Sequence, residues 1–118
     1  MIKPQLRYTN ADKDKVSIFA ENRKKTGVYR WINNTNKNTY IGSSINLSVR
    51  LYTYYNLRCL AKSNRPIDRA LLKHGFSNFS FEILEYCNVK VLLEREQYYL
   101  DKLKPIYNSR KSRINYRI

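Results

Sequence analysis

Residues 26–45 read TGVYRWINNTNKNTYIGSSI, and this stretch decides the fold of the chain. It contains two runs rich in β-branched and aromatic residues, 28–32 and 39–41, which favour β-strands. The residues between them, 33–38, are asparagines with one threonine and one lysine, a composition typical of a turn. The pattern predicts a β-hairpin.

Symmetric pairing across this hairpin places Trp31 opposite Tyr40 and Tyr29 opposite Gly42. Tyr29 and Tyr40 then share one face, and Gly42 leaves a space beside the Tyr29 ring that a substrate backbone can enter. Two alternatives stay open. Aromatic side chains on a strand face commonly form the core, and a one-residue slip in register separates the two tyrosines.

The chain after the hairpin predicts three helices and one more strand. Asn46 suits the cap of a first helix, Pro66 suits the first turn of a second, and Gly75 suits its end. Residues 79–84 predict a third strand, and residues 89–103 predict a last helix. We therefore expect an α+β fold, a small three-stranded antiparallel sheet flanked by about three helices.

The length of 118 residues is that of a single domain. We expect a polar N-terminal arm over residues 1–25, with a short helix near Lys15 to Asn22. The compact domain is expected over residues 26–108, followed by a basic tail over residues 109–118.

The charge of the chain favours a polyanionic partner. Lysine and arginine number 23 against 9 acidic residues, a formal net charge of +14. Such a surface attracts nucleic acid, although ribosome surfaces, anionic membranes and simple solubility are served by the same charge. The cysteines, Cys59 and Cys87, lack the spacing of a zinc site. No long apolar run is present, and we do not expect a membrane protein.

Glu96 is the most informative polar position. In the last predicted helix it falls near the middle of an apolar stripe formed by Val89, Leu92, Leu93, Tyr99, Leu100 and Leu103. Desolvating an unpaired carboxylate costs several kcal/mol or more, so a cation, an arginine or a metal is expected beside it. The equally weighted alternative is a carboxylate at the helix rim, paired with a lysine.

Arg50 is the second such position. It flanks the stripe of Leu47, Leu51 and Tyr54, near enough to the helix interior to be held in place. A guanidinium held there can bind a phosphate bidentately. The usual alternative is a surface arginine whose stem covers apolar atoms.

Taken together, these residues resemble the GIY-YIG nuclease family. Gly27-Val28-Tyr29 matches the first motif and Tyr40-Ile41-Gly42 the second, at the spacing of the family. The resemblance extends over about Asn10 to Asn108 and is closest to homing endonucleases of group I introns in fungal mitochondria. It continues through these stretches: Ser43 to Leu47, Arg50-Leu51, Arg69 to Gly75, Asn78 to Glu85, Leu93 to Tyr99 and Lys104 to Asn108.

The resemblance implies a metal-dependent endonuclease that cuts double-stranded DNA. Tyr29 would act as general base or would orient the attacking water, with Tyr40 as its assisting partner. Arg50 would neutralise charge on the phosphate, Glu96 would hold a single Mg²⁺ or Mn²⁺, and Asn108 would brace the site. A base role requires the pKa of Tyr29 to be lowered by nearby cations or the metal. Further contacts to nucleic acid are expected from Arg30, Arg110, Lys111 and Arg113.

The resemblance has two departures and one rival. Val28 replaces the middle isoleucine of the first motif, a change of one methylene that we expect to be silent. Homing relatives usually continue into a separate DNA-reading domain, and ten residues follow Asn108 here. The rival interpretation is a non-catalytic nucleic-acid-binding protein, attached for example to a mitochondrial ribosome or to intron RNA. An organelle-encoded mitochondrial location is expected from the resemblance.

Overall fold

The structure is a computed structural model that describes residues 2–108. Within that range a four-stranded antiparallel sheet has the strand order β1-β4-β2-β3. Strand β1 spans Leu6–Tyr8, β2 spans Gly27–Asn33, β3 spans Thr39–Ser44 and β4 spans Phe79–Tyr86. The antiparallel α+β prediction is confirmed.

The helices of the described residues fall into two groups. Helices α1 to α4 span Lys15–Glu21, Leu47–Tyr54, Leu57–Lys62 and Pro66–His74. Helix α5 spans Leu92–Leu103, and short 3-10 turns occupy Phe76–Asn78 and Val89–Val91. Pro66 begins α4 and Gly75 ends it with a φ of +83°, as the sequence predicts.

The two groups of helices cover opposite faces of the sheet. Buried side chains of α1 to α4, including Ile18, Leu51 and Leu71, pack with Trp31 and Phe81 on one face. On the other face, the buried residues of α5 pack against one residue from each of β2, β3 and β4; these six residues are Leu92, Tyr99, Leu100, Val28, Ile41 and Leu84. We call these the aromatic face and the α5 face.

Three details differ from the sequence-based expectation. The sheet has four strands instead of three, because β1 pairs with β4 through Leu6, Arg7 and Tyr8. Three residues are too few to establish an alternating pattern, so the sequence of the N-terminal segment gave no strand signal. Helix α3 was also not predicted, although Asn56 caps it by accepting hydrogen bonds from the N–H groups of two residues. The last helix begins at Leu92 and not at residue 89.

The hairpin register is the feature that positions the site. Tyr29 pairs with Gly42 and Trp31 pairs with Tyr40, as predicted. Strand β3 has β2 on one side only, so it forms an edge of the sheet. No helix within residues 2–108 has both the length and the apolar character needed to cross a membrane.

Candidate active site

Tyr29 reaches from β2 to the edge strand. Its side chain is buried, and its hydroxyl lies beside Gly42 of β3. A Cβ placed on Gly42 would lie 2.5 Å from the Tyr29 hydroxyl oxygen and 2.6 Å from its Cζ. The prediction that a substrate backbone enters beside Gly42 was therefore wrong, because the tyrosine itself fills that space. Gly42 allows the phenol to cross its strand.

Tyr54 of α2 is the partner of this phenol. The two hydroxyl oxygens lie 2.8 Å apart, and the rings meet edge to face at a centroid distance of 5.9 Å. From the sequence, Tyr54 was expected on the buried stripe of this helix, without a role in the site. The sequence did carry one signal for such a role: a tyrosine on a buried stripe has a hydroxyl, and a buried hydroxyl needs a hydrogen-bond partner.

Tyr40 of β3 lies on the same aromatic face as Tyr29, because it pairs with Trp31 two residues along the hairpin. Its hydroxyl accepts a hydrogen bond from Nη1 of Arg65, at 3.3 Å. The guanidinium of Arg65 also lies over the rings of Tyr40 and Tyr54. The three phenols and the half-buried Arg65 thus form a connected group. Arg65 was not predicted as a member of the site.

Arg50 completes this group from the outside. It lies on α2 one turn before Tyr54, and its side chain is exposed. Its positive charge acts on the hydroxyls of both Tyr29 and Tyr54, where it favours the ionised form. Within residues 2–108 Arg50 forms no salt bridge, so its guanidinium remains available to an anion that approaches the phenols.

Burial governs the acidity of the phenols. Desolvation raises the pKa of Tyr29 well above its ordinary value, and the neighbouring phenols Tyr54 and Tyr40 raise it further. The charge of Arg50 opposes this increase but does not overcome it. The pKa of Tyr54 is raised as well, first by burial. Of the two roles considered for Tyr29, this environment favours a protonated hydroxyl that orients its neighbour over a general base.

Glu96 approaches the edge strand from the other face. Ser43 pairs with Val28, whose side chain belongs to the α5 face, and the Ser43 hydroxyl donates to Oε1 of Glu96 at 2.6 Å. Glu96 is half-buried, between the buried positions Leu92 and Tyr99 of α5. Its place on the apolar stripe is as expected, whereas Leu93, also assigned to that stripe, is 75% exposed. Ser43 is a partner that the sequence did not indicate.

Asn108 holds the same strand through its backbone. Its Oδ1 accepts from the N–H of Ile41 at 2.7 Å, and its Nδ2 donates to the carbonyl of Ile41 at 2.8 Å. The N–H of Tyr107 donates to the carbonyl of Thr39 at 2.9 Å. The amide side chain therefore acts as a short substitute for a neighbouring strand and fixes the position of β3.

Four consecutive residues of β3 thus collect the polar groups of the site. Tyr40 contributes its own phenol, Ile41 binds Asn108, Gly42 lies against the Tyr29 hydroxyl, and Ser43 binds Glu96. A strand rises about 3.3 Å per residue, so these anchor points span roughly 10 Å. Cationic, phenolic and carboxylate groups therefore meet around one sheet edge, with the phenols on the aromatic face and the carboxylate on the α5 face.

Of the remaining predicted contacts to nucleic acid, the structure describes Arg30. Arg30 faces away from Tyr29, and its Nε and Nη2 donate to Oε1 of the buried Glu82 at 2.9 and 2.6 Å. Its side chain is 17% exposed, so much of its charge is engaged inside the protein. Nucleic-acid binding by Arg30 stays a prediction. Arg110, Lys111 and Arg113 lie outside the described residues.

A metal, if bound at this edge, would rely on a sparse set of protein ligands. No group of three or more histidine, cysteine, aspartate or glutamate side chains with the geometry of a metal site occurs in residues 2–108. Glu96 with the hydroxyl of Ser43 is the oxygen pair that β3 and α5 provide. Mg²⁺ commonly uses one or two carboxylates and completes its octahedral shell with water and substrate phosphate, so this pair fits such an ion.

Comparison with known proteins places this arrangement in a family. A family model described as the GIY-YIG catalytic domain matches residues 25–111. "Probable intron-encoded endonuclease bI1" of Neurospora crassa is 38% identical in an alignment 99 residues long, which covers 77% of this chain and 22% of that protein. "Probable intron-encoded endonuclease 1" of the same organism is 39% identical over 62 residues, 52% of this chain and 19% of that protein. The chain spans about a fifth of the length of the curated relatives it matches.

Solved structures give the same result. The catalytic domain of homing endonuclease I-TevI superposes with a TM-score of 0.56 and is 26% identical, covering 68% of this chain and 89% of that one. A mutant of the same catalytic domain also gives a TM-score of 0.56 at 26% identity, with 84% of its chain covered. The antiparallel α+β fold described above is thus shared with these domains.

Proposed function

This chain belongs to the GIY-YIG family as an endonuclease catalytic domain, and from that premise we propose that it hydrolyses phosphodiester bonds of double-stranded DNA with the aid of Mg²⁺ or Mn²⁺. The family is generally metal-dependent, and its homing endonuclease domains act on DNA. The observation that carries the proposal is the convergence of phenol, carboxylate and bracing amide on residues 40–43 of β3, beside the exposed Arg50.

Arg50 is the phosphate-binding group in this proposal. Its exposed guanidinium offers a planar set of N–H donors that matches two oxygens of one phosphate. Negative charge accumulates on these oxygens as the nucleophile attacks, so a cation at this position binds the transition state more tightly than the ground state. Its charge acts on the Tyr29 and Tyr54 hydroxyls, so a phosphate bound to Arg50 is brought toward the phenols.

The phenols orient the nucleophile. Tyr29 is held by Tyr54 on one side and by the backbone of Gly42 on the other, so its hydroxyl has a defined direction. Burial raises its pKa, and we therefore assign to Tyr29 the alignment of an attacking water and not its deprotonation. Tyr40, on the edge strand β3, assists in this hydrogen-bond network.

Glu96 holds the metal, with Ser43 fixing the direction of its carboxylate. A divalent ion at such a site supplies charge neutralisation at the phosphate and at the leaving oxygen. Asn108 braces β3, the edge strand that Tyr29 and Glu96 contact. Binding of the duplex itself comes from the positive surface, with Arg30, Arg110, Lys111 and Arg113 as proposed contacts to phosphates.

The direct test is cleavage of supercoiled plasmid by the purified protein with Mg²⁺ or Mn²⁺. We expect the wild-type protein to cut, and Glu96→Gln and Arg50→Met each to lower the rate by about 10²- to 10³-fold. Glu94→Gln and Arg69→Met are matched controls, because each removes the same charge from an exposed position of α5 or α4. Binding of a duplex by Glu96→Gln should persist.

The same experiment judges the rival function. A wild-type protein that is inert with every metal and salt tried, and that co-purifies with ribosomes or structured RNA, would show a non-catalytic nucleic-acid-binding protein. Equal loss of cleavage in the control variants would show that overall charge, and not the β3 site, determines the activity.

We also propose a mitochondrial location, with the gene in the organelle. The support is the similarity to intron-encoded endonucleases of Neurospora crassa. Immunoblotting of fractionated host cells should find the protein in the mitochondrial fraction. A cytosolic signal without a mitochondrial one would contradict this proposal.

A further inference from the structure

Arg65 is fixed unusually well for an arginine next to solvent. It immediately precedes α4, and its Nε and Nη2 donate to the two carboxylate oxygens of Asp68 at 2.9 and 3.2 Å. The Ser63 hydroxyl donates to the same carboxylate at 2.7 Å. Asp68 is buried, so its charge requires this partner, and the guanidinium is held in one orientation.

The held guanidinium lies against two phenols of the site. Its central carbon is 5.6 Å from the ring centroid of Tyr40 and 5.5 Å from that of Tyr54. Its Nη1 donates to the Tyr40 hydroxyl at 3.3 Å. Tyr54 in turn shares a hydrogen bond with Tyr29. A continuous series of contacts therefore runs from buried Asp68 through Arg65 to the phenols beside Gly42.

We propose that Arg65 is a positioning residue of this active site, which, anchored by Asp68, fixes the directions in which Tyr40 and Tyr54 present their hydroxyls. The inference rests on the proposed nuclease function and deepens it. The planar guanidinium is needed because one flat group must bind a carboxylate bidentately and lie over two rings at once. A lysine offers a point charge and satisfies only the ion pair.

The electrostatics agree with this geometry. Burial alone would lower the pKa of Arg65, but its hydrogen bonds to Asp68 raise it, so the residue stays cationic. That charge partly offsets the increase in the pKa of Tyr54 caused by burial. The cation thus favours negative charge on the Tyr54 hydroxyl oxygen, which shares a hydrogen bond with Tyr29.

The experiment compares Arg65→Lys, Arg65→Met and Arg69→Met under single-turnover conditions with excess protein and Mg²⁺. Arg69 lies on the exposed side of the same helix and controls for the lost charge. We expect both Arg65 variants to cleave about 10- to 100-fold more slowly, as for a reacting group displaced by roughly 1 Å. Their dissociation constants for a duplex, measured by fluorescence anisotropy, should stay within about 3-fold of that of Arg69→Met.

A second readout does not depend on activity. With ring-labelled tyrosine, the NMR signals of Tyr40 and Tyr54, assigned through Tyr→Phe variants, should move in Arg65→Lys and stay in place in Arg69→Met. Arg65→Lys keeps the ion pair with Asp68, so it decides the question if Arg65→Met does not fold. Cleavage by Arg65→Lys at the rate of Arg69→Met, or unmoved signals of both phenols, would overturn the positioning role. An inert wild-type protein would instead overturn the nuclease proposal.

Discussion

Replacing Gly42 by alanine tests the placement of the Tyr29 hydroxyl. The new methyl carbon would lie 2.5 Å from the hydroxyl oxygen and 2.6 Å from Cζ, where ordinary contacts begin at 3.4 Å. The phenol must therefore move by about 1 Å, and it cannot rotate away freely because Tyr54 and Phe81 pack against it. This single methyl group is expected to disturb both the fold and the site.

The magnitudes follow from the size of the displacement. Overpacking in a filled core costs about 1–3 kcal/mol, and each kcal/mol lowers the Tm of a domain of this size by roughly 4–6 °C. A shift of about 1 Å in a reacting group lowers the rate of cleavage by about 10²-fold. Thermal unfolding followed by circular dichroism and single-turnover cleavage at a temperature well below the Tm measure the two effects separately.

Gly75→Ala is the matched control for this substitution. Gly75 has a φ of +83°, and nothing lies within 4 Å of a Cβ built there. With a ψ of 149° this is a conformation that essentially only glycine adopts, so alanine strains the backbone by about 1–3 kcal/mol without touching the site. It should lower the Tm while cleavage stays at the wild-type rate. Wild-type stability and wild-type cleavage in Gly42→Ala would refute the reasoning, because the hydroxyl would then not lie where β3 carries its glycine.

Three further substitutions probe other parts of the account. Tyr29→Phe should slow cleavage by about 10-fold or more. The shape of the pH–rate profile between about pH 6 and 9 should stay unchanged, because burial keeps the Tyr29 phenol protonated. If the wild-type profile has a rising limb that is lost only in this variant, Tyr29 acts as a general base. Hydrogen bonds from Arg95 lower the pKa of Glu85 in the folded protein. The ionised Glu85 therefore stabilises the fold fully above the unfolded pKa of about 4.3, and this stabilisation is lost as the pH falls through the folded pKa. In Arg95→Met the free energy of unfolding, measured by urea titration, should change less over this acid range. Asn108→Ala removes two hydrogen bonds to the β3 backbone and should lower the free energy of unfolding by about 1–3 kcal/mol. The cleavage rate should fall as well. Unchanged values of both quantities would show that the contact of Asn108 with β3 is dispensable.

The parts of the fold that sequence predicts are those fixed by local chemistry. The hairpin register was predictable because a polar turn lies between two strand-forming runs, and symmetric pairing leaves Tyr29 opposite Gly42. Glu96 was identifiable because a carboxylate among buried apolar residues is costly unless a cation or a hydrogen-bond donor lies beside it. Both arguments use neighbours in sequence, for which strand and helix periodicity are sufficient guides.

The parts that sequence missed depend on long-range contacts. Tyr54 was predicted as a core residue, and its hydrogen bond to Tyr29 joins residues on different elements. Arg65 precedes a helix, and only the packing of α4 brings it over Tyr40. The space expected beside Gly42 was filled because periodicity gives the face of a side chain and not its reach. Such contacts become visible only when the elements are assembled.

The convergence of the site around β3 is tested most directly by Mn²⁺ in NMR of ¹⁵N-labelled protein. Mn²⁺ broadens the signals of nuclei close to it and leaves distant ones sharp. We expect substoichiometric Mn²⁺ to weaken the amide signals of Gly42, Ser43 and Glu96, and Glu96→Gln to abolish this effect. Broadening centred on the N-terminal acids Asp12 and Asp14, or broadening that survives in Glu96→Gln, would contradict it.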